Sequence, residues 1–336
     1  MEYVLLVSVL ISFVLAISSL PMWIRVCRRI GLVWEDMNKF GHPKNVASSG
    51  GVIVIMAFVL GVLSYVALKT FLFGGQIKAL EIFALLAVIL MLGIIGLVDD
   101  LLGRGSVGNR SDGKYGLPKK ARLLLAVAAS VPLVVINAGT HFMSLPFFGL
   151  IDFGILYPLF LIPLAIVGAS TTYNFLAGYN GLEAGQGILI LGFLSFVSYV
   201  TGSAWLGIVG LCMVGALLGF WIFNKVPASV FPGDMLTYGV GAMIASMAIL
   251  GNFEKIAFVV FIPYILEVIL KSRGGLKKQS FGIPTKDGKL KMPHDKVYGL
   301  EHLAIKILGR GATERKVVYL IHAFQILFIL IGFLML

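Results

Sequence analysis

Apolar stretches long enough to cross a bilayer recur from Val4 to Leu336, and no other feature of the chain restricts its fold as much. A hydrocarbon layer about 30 Å thick needs roughly 20 apolar residues per crossing. Segments of that kind cover residues 3–24, 50–68, 80–98, 121–138, 155–170, 187–201, 205–223, 235–251, 256–270 and 317–335, which predicts ten spans, give or take one. The fifth and sixth are short, and Pro158, Pro163 and their Gly-rich ends predict tilted or broken helices. With 59% apolar and only 13% charged residues, the chain exceeds what one water-soluble core can hide, since soluble domains carry about 25% charged residues. The expectation is an all-α polytopic membrane protein forming one integral domain over residues 1–336. A soluble enzyme and a lone membrane anchor are both excluded.

An even number of spans puts both termini on one side, and the basic residues say which. Five lie between Arg25 and Lys44, six between Arg104 and Arg122, one at Lys225 and twelve between Lys271 and Lys316, so 24 of the 27 fall on one face and only Lys69, Lys78 and Lys255 on the other. Cytoplasmic loops carry the excess of Lys and Arg, so loops at about 25–49, 99–120, 171–186, 224–234 and 271–316 are expected inside and both termini outside. The start Met1-Glu2-Tyr3 lacks the basic stretch of a cleavable leader. The net charge of +11 is therefore a property of one face, explained by topology and by anionic headgroups of the lipid bilayer. No soluble module carries these charges, so no nucleic-acid partner is expected. Cys27 and Cys212 sit at a helix end and within a span, and no disulfide is expected. Gly215 and Gly219 form a small-xxx-small pair suited to close helix packing.

Four polar constellations fall at the basic end. Asp99-Asp100 closes the third span, where two adjacent carboxylates repel each other and face the negative end of the helix dipole. They are either solubilising interfacial acids or a site facing a cation or metal. Gly116-Leu117-Pro118 reads as a helix start with Pro in the first turn, and Lys119, Lys120 and Arg122 crowd its positive end. Such cations either snorkel to the interface or await a phosphate. Between the two, Gly108 to Tyr115 approaches a nucleotide-binding loop, but Tyr115 replaces the required Ser or Thr and no core strand precedes it, so it is read as a plain loop.

The third constellation runs from Asn174 to Gln186, Asn-Phe-Leu-Ala-Gly-Tyr-Asn-Gly-Leu-Glu-Ala-Gly-Gln. Carboxamides at this depth need partners. They suit a pocket in which Asn offers a carbonyl to a hard cation or an amide to a nucleobase edge, and glycine admits a ligand ring to the backbone; a polar turn is the plainer reading. The fourth is Phe231-Pro232-Gly233-Asp234, opening the eighth span. Asp234 is either a helix cap or, with Asn174 and phosphate oxygens, part of an Mg²⁺ site.

These residues resemble those of the polytopic polyprenyl-phosphate N-acetylhexosamine-1-phosphate transferases, and within that superfamily the dolichyl-phosphate N-acetylglucosamine-phosphotransferase branch. The resemblance rests on Asn180-Gly-Leu-Glu-Ala-Gly-Gln186 above all, with the Asp pair after the third span, the Gly-Asp opening the eighth, Asp36-Met-Asn-Lys39 and the stretch from Leu300 to Val318. It implies that Asn174 and Asp234 hold Mg²⁺, for which Mn²⁺ substitutes. Gly178, Asn180 and Phe231 are implied to bracket and hydrogen-bond uracil, Arg122 to meet the pyrophosphate, and Asp99 and Asp100 to be the catalytic acidic pair. Lys119, Lys277, Gln279 and His302 are implied on the remaining substrate side. There this chain departs from the branch, with Lys277-Lys278-Gln279 where eukaryotic members have an Arg-His-Arg run, and a single His302 where bacterial relatives place a histidine cluster.

The implied reaction moves N-acetylglucosamine-1-phosphate from its UDP-sugar, UDP-N-acetylglucosamine, to a polyprenyl or dolichyl phosphate and releases UMP, the first membrane step of lipid-linked glycan assembly. A bacterial-type transferase using undecaprenyl phosphate is the alternative. A secondary transporter is more remote, since it would put its acids at the bilayer midplane. Short outer loops point to an archaeal cell membrane, or to the endoplasmic reticulum in a eukaryote. Nothing in the sequence sets the oligomeric state, a homodimer included.

Overall fold

The computed structural model describes residues 6–74, 76–103, 116–145 and 149–336. Arg104, Arg110, Lys114, the loop from Gly108 to Tyr115, and Met1 to Tyr3 lie outside the described residues. The helices are α1 Val7–Ile30, α2 Gly51–Phe71, α3 Ala79–Gly103, α4 Lys119–Val135, α5 Ile162–Tyr173, α6 Leu182–Val200, α7 Ala204–Asn224, α8 Gly233–Gly251, α9 Glu254–Val260, α10 Ile262–Ser272, α11 Leu300–Leu308 and α12 Glu314–Phe333. Seven of them, α1, α2, α3, α6, α7, α8 and α12, are long and apolar enough to cross a membrane. The protein is a polytopic, mostly helical membrane protein.

The breaks fall only partly where the sequence places them. The fifth segment is broken as expected, a π-helical turn at Tyr157–Leu161 leading into α5 with Pro163 in its first turn. The sixth is not broken: α6 is continuous and starts at Leu182, so Leu182 to Gln186, expected in a loop, form its first turns. The ninth segment, expected whole, is instead split into α9 and α10 at Phe261, with Pro263 in the first turn of α10, where a ring without an N–H costs least. Nor is the fold purely helical. Among the described residues three antiparallel two-stranded ribbons join β1 Val33–Trp34 to β2 Val46–Ala47, β3 Phe142–Leu145 to β4 Gly149–Asp152, and β5 Ile283–Pro284 to β6 Leu290–Lys291. Strands of two to four residues leave too little alternation for a sequence pattern to reveal.

Helix α8 is the axis of the bundle. Of its apolar window 83% is buried, against 28% for α1 and for α12, which places those two at the periphery. Small residues let its neighbours close in: a Cβ on Gly241 would lie 2.6 Å from the Ala169 carbonyl oxygen of α5, and one on Gly96 of α3 would lie 2.4 Å from the Asp234 carbonyl oxygen. The Gly215 and Gly219 pair packs α7 on α1, as expected, with virtual Cβ atoms 2.6 Å from Val9 O and 3.0 Å from Phe13 O. Cys27 and Cys212 are free and buried. At one end of the bundle the C-terminal turns of α3, α5, α7 and α10 meet the N-terminal turns of α2, α4, α6, α8 and α12, and every polar constellation found in the sequence lies there.

Candidate active site

Asp99 and Asp100 end α3 where the helix dipole and their mutual repulsion both disfavour them, and two other helices offset the cost. Asp99 accepts the Leu117 N–H just ahead of α4 and pairs with the Arg122 guanidinium at 2.7 Å. Asp100 accepts the Ser49 hydroxyl at 3.0 Å and the backbone N–H of Asp234, in the first turn of α8, at 2.9 Å. Each carboxylate therefore sits at the positive N-terminus of another helix. At the start of α4 the Asp99 carboxylate thus meets Arg122 and a backbone N–H, while Lys119 and Lys120 stay exposed. Pro118 occupies the cap position of α4, not its first turn.

Two glycines make the approach of these acids feasible. Gly116 (φ +90°) and Gly233 (φ +71°) hold left-handed backbone, and a Cβ there would stand 2.4 Å from Asp99 Oδ1 and 2.3 Å from Asp100 Oδ2. The Gly-Asp sequence at 233–234 is thus the opening through which α3 reaches α8. Asp234 does not cap α8, which has no side-chain cap; its Oδ1 accepts the Asn174 amide at 3.1 Å instead. Its capping work is done by Asp100.

The donor set suits a hard divalent cation. Asp100 and Asp234 adjoin one another, and the Asn174 amide nitrogen is taken up by Asp234, which turns its carbonyl oxygen towards other partners. Among the described residues no three acids or imidazoles stand at metal-ligating spacing. Mg²⁺ needs no such cage, since it is held by one or two carboxylates together with waters and substrate phosphates.

The Asn180 loop is stretched between distant parts of the chain. The Asn180 side-chain nitrogen donates to Asp36 at 2.9 Å and its backbone N–H to Glu314 at 2.9 Å, and Lys39 pairs with Glu314 and, at 3.8 Å, with Asp36. Gly178 donates to Glu183 at 2.8 Å and accepts from Asn38 at 2.7 Å. The amide of Asn180 is thus committed within the protein, and the carbonyl oxygen is the group left to face a ligand. Phe231 is fixed by backbone bonds to Ala47 (2.8 Å) and Gly50 (2.9 Å).

A cavity of about 540 Å³ opens among these groups. Of the expected site residues, Asp99, Asp100, Asn174, Gly178, Asn180, Phe231, Asp234 and Gln279 line it, and Arg122 stands behind Asp99. Lys119, Lys277 and His302 do not. Lys119 and Lys277 are exposed outside it, and the cations in the wall are Lys271 and Lys278. Lys271, at the end of α10, pairs with the buried Glu267 at 3.2 Å and donates to the Phe175 carbonyl. The sequence placed Lys271 at the edge of a span, where its direction could not be read; its four-residue spacing from Glu267 was the available clue. The ring that presses against Gly178 is Phe281, also missed.

His302 lies on α11, buried, beside the Gln279 backbone. Its Nδ1 accepts the Tyr298 N–H at 3.3 Å, which requires a neutral ring. Burial first, then His294 and Lys271, push its pKa down to about 4. A depressed histidine stabilises the fold fully above its ordinary value near 6.5 and loses that contribution as pH falls towards 4. The thermal stability of the wild type should therefore fall between pH 6.5 and 4 by up to roughly 3 kcal/mol from this group, and His302→Gln should flatten that part of the profile. An unchanged slope in the variant would refute the assignment.

The chain resembles known proteins over most of its length. Residues 82–252 match the model of glycosyl transferase family 4. A Saccharolobus solfataricus protein, provisionally named UDP-N-acetylglucosamine–dolichyl-phosphate N-acetylglucosaminephosphotransferase, is 32% identical over 98% of this chain and 95% of its own. A Sulfolobus acidocaldarius protein with the same provisional name is 30% identical over the same shares. The phospho-N-acetylmuramoyl-pentapeptide-transferase of Halalkalibacterium halodurans is 30% identical over 80% of this chain and 82% of its own.

Proposed function

The chain belongs to glycosyl transferase family 4, and on that premise we propose that it transfers N-acetylglucosamine-1-phosphate from UDP-N-acetylglucosamine to a polyprenyl or dolichyl phosphate, releasing UMP. The carrying observation is the convergence of Asp100, Asp234 and Asn174 beside the Asp99–Arg122 pair, in a cavity also walled by Asn180, Gly178 and Phe231. In this reading an oxygen of the lipid phosphate attacks the sugar-bearing phosphorus. The new P–O bond closes a lipid-linked pyrophosphate, and the bond to the UMP phosphate breaks.

Phosphoryl transfer of this kind is governed by positioning and charge. Bound Mg²⁺, or Mn²⁺ in its place, would be held by Asp234, Asn174 and the neighbouring Asp100 and would neutralise phosphate charge. Arg122, Lys271 and Lys278 supply fixed positive charge to the same phosphates. Phe231 offers a ring face to uracil and Asn180 a carbonyl oxygen to its N–H edge. Neither Asp99 nor Asp100 is assigned as a base. Both already accept hydrogen bonds within the protein, and a phosphate monoester with a second pKa near about 6 is largely a dianion at neutral pH.

The direct test is an exchange assay with purified protein, Mg²⁺, dolichyl or undecaprenyl phosphate and a panel of labelled UDP-sugars, extracted into organic solvent. Label from UDP-N-acetylglucosamine should enter the lipid phase, and failure with every sugar would sink the reading. Undecaprenyl phosphate is the acceptor of the alternative reading, and transfer to it is compared with transfer to dolichyl phosphate in the same assay. Phe231→Ala should raise KM by about 2- to 12-fold, the value of an aromatic contact worth about 0.5–1.5 kcal/mol. If UMP and UDP-sugar affinities stay unchanged in both Phe231→Ala and Asn180→Ala, uracil binds elsewhere.

The basic end, with the cavity, faces the cytoplasm in this reading and both termini lie outside, with ten crossings formed by the seven long helices together with α4, the α5 segment and the α9–α10 pair. A cysteine placed beside Lys286 should label only from the cytoplasmic side and one beside Lys255 only from outside. The reverse pattern would invert the topology.

A further inference from the structure

A second pocket, of about 230 Å³, lies on the opposite side of the Asn180–Gly181 loop from the main cavity, between the end of α7 and the start of α12. Its walls carry Trp221, Lys225, Arg315, Tyr319 and His322, and none of its lining residues is a carboxylate. Glu314, next to Arg315 in sequence, is buried and already engaged by Lys39 and the Asn180 N–H. The pocket is therefore rich in hydrogen-bond donors and positive, with no acid of its own to balance it. Its two cations are held at the rim: Lys225 lies over the Trp221 ring, 5.4 Å from its centre, and Arg315 donates to the Val226 carbonyl at 3.0 Å.

Helical spacing links this pocket to the membrane. Leu218 and Ile222 of α7 stand seven and three residues before Lys225, which follows the last residue of that helix, and on α12 Tyr319 and Ile326 stand four and eleven after Arg315, with the pocket residue His322 between them. Residues so spaced share a helix face, and all four are exposed, between 40% and 62%. Each cation thus tops an apolar strip running down a membrane-facing helix. A soluble anion would use the cations and leave the strips idle. We propose that this pocket seats the phosphate of an anionic phospholipid of the surrounding bilayer, with its acyl chains along α7 and α12. This site is separate from the substrate cavity and shares with it only Asn180.

The test uses the full chain in nanodiscs of phosphatidylcholine with a minority of phosphatidylglycerol, followed by native mass spectrometry of the lipid that stays bound. The Lys225→Gln/Arg315→Gln double variant should retain phosphatidylglycerol about thirtyfold less than wild type, the loss expected when two interfacial cations are removed. The charge-preserving Lys225→Arg/Arg315→Lys variant should retain it as wild type does, and a circular dichroism spectrum establishes that all three are folded. In a parallel arm, millimolar inorganic phosphate should leave the bound lipid in place. Equal retention by the Gln double variant would mean that the basic face at large attracts the lipid, and displacement by inorganic phosphate would mean that the pocket takes a free anion. Either result overturns the proposal.

Discussion

Asp234→Asn should leave a folded protein whose turnover has fallen about a hundredfold or more, the scale seen when one group that stabilises developing charge is removed. The structure separates the two roles the sequence left open for this residue. A capping Asp could be replaced by Asn at little cost, but Asp234 caps nothing, because Asp100 accepts the N–H of α8 while the Asp234 carboxylate is bound by Asn174. Folding should thus be spared, and the loss should appear in kcat. Excess Mg²⁺ or Mn²⁺ should restore it only in part, since the amide keeps an oxygen but loses the charge. Asn174→Ala should behave likewise, and the double variant should cost less than the sum of the two in free energy, because both empty one site. Wild-type turnover of a folded Asp234→Asn protein at limiting Mg²⁺ would remove Asp234 from the metal site.

Gly96→Ala should damage both the bundle and the site. On a solvated helix this change is stabilising by about 1 kcal/mol. Here the added Cβ would lie 2.4 Å from the Asp234 carbonyl oxygen and 2.7 Å from the Met235 nitrogen, backbone atoms that cannot swing aside. Relief requires α3 to move off α8, at an overpacking cost of about 1–3 kcal/mol. Because Asp99 and Asp100 ride on the next turn of α3, the same shift lengthens the Asp100 bond to Asp234 and pulls the acidic pair from the cavity. A lower Tm and at least a tenfold loss of turnover are expected together. Gly192→Ala on α6, where nothing lies within 4 Å of the added carbon, should leave turnover unchanged and Tm level or slightly higher. Should both variants behave alike, close packing of α3 on α8 does not position the site.

Much of the site could be read from the chain because its chemistry is concentrated in short runs. Asp99-Asp100, Asn174 to Gln186 and Phe231 to Asp234 each stand out because polar side chains at span ends demand partners, and all three runs do line one cavity. Less legible was side-chain direction at the edge of a span. Lys277 was expected at the site and lies outside it, while its neighbour Lys278, and Lys271 on the last turn of α10, line the wall. Helix breaks behave similarly: prolines mark them, but Pro263 stands in a continuous apolar run that reads as one span.

The sequence by itself determined that this protein crosses a membrane many times, that its basic residues gather at one end, and that carboxylates, carboxamides and glycines collect there. Those are properties of composition and of runs some 20 residues long, which the bilayer reads directly. Which acid serves which helix was decided only by the tertiary structure. Asp99 meets α4 across 18 and 23 residues, Asp100 meets α8 across 134, and Asn180 meets Asp36 across 144. A buried polar group must find its partner wherever packing brings one, and close packing on glycines such as Gly96 and Gly241, not any local pattern, sets which helix ends come together.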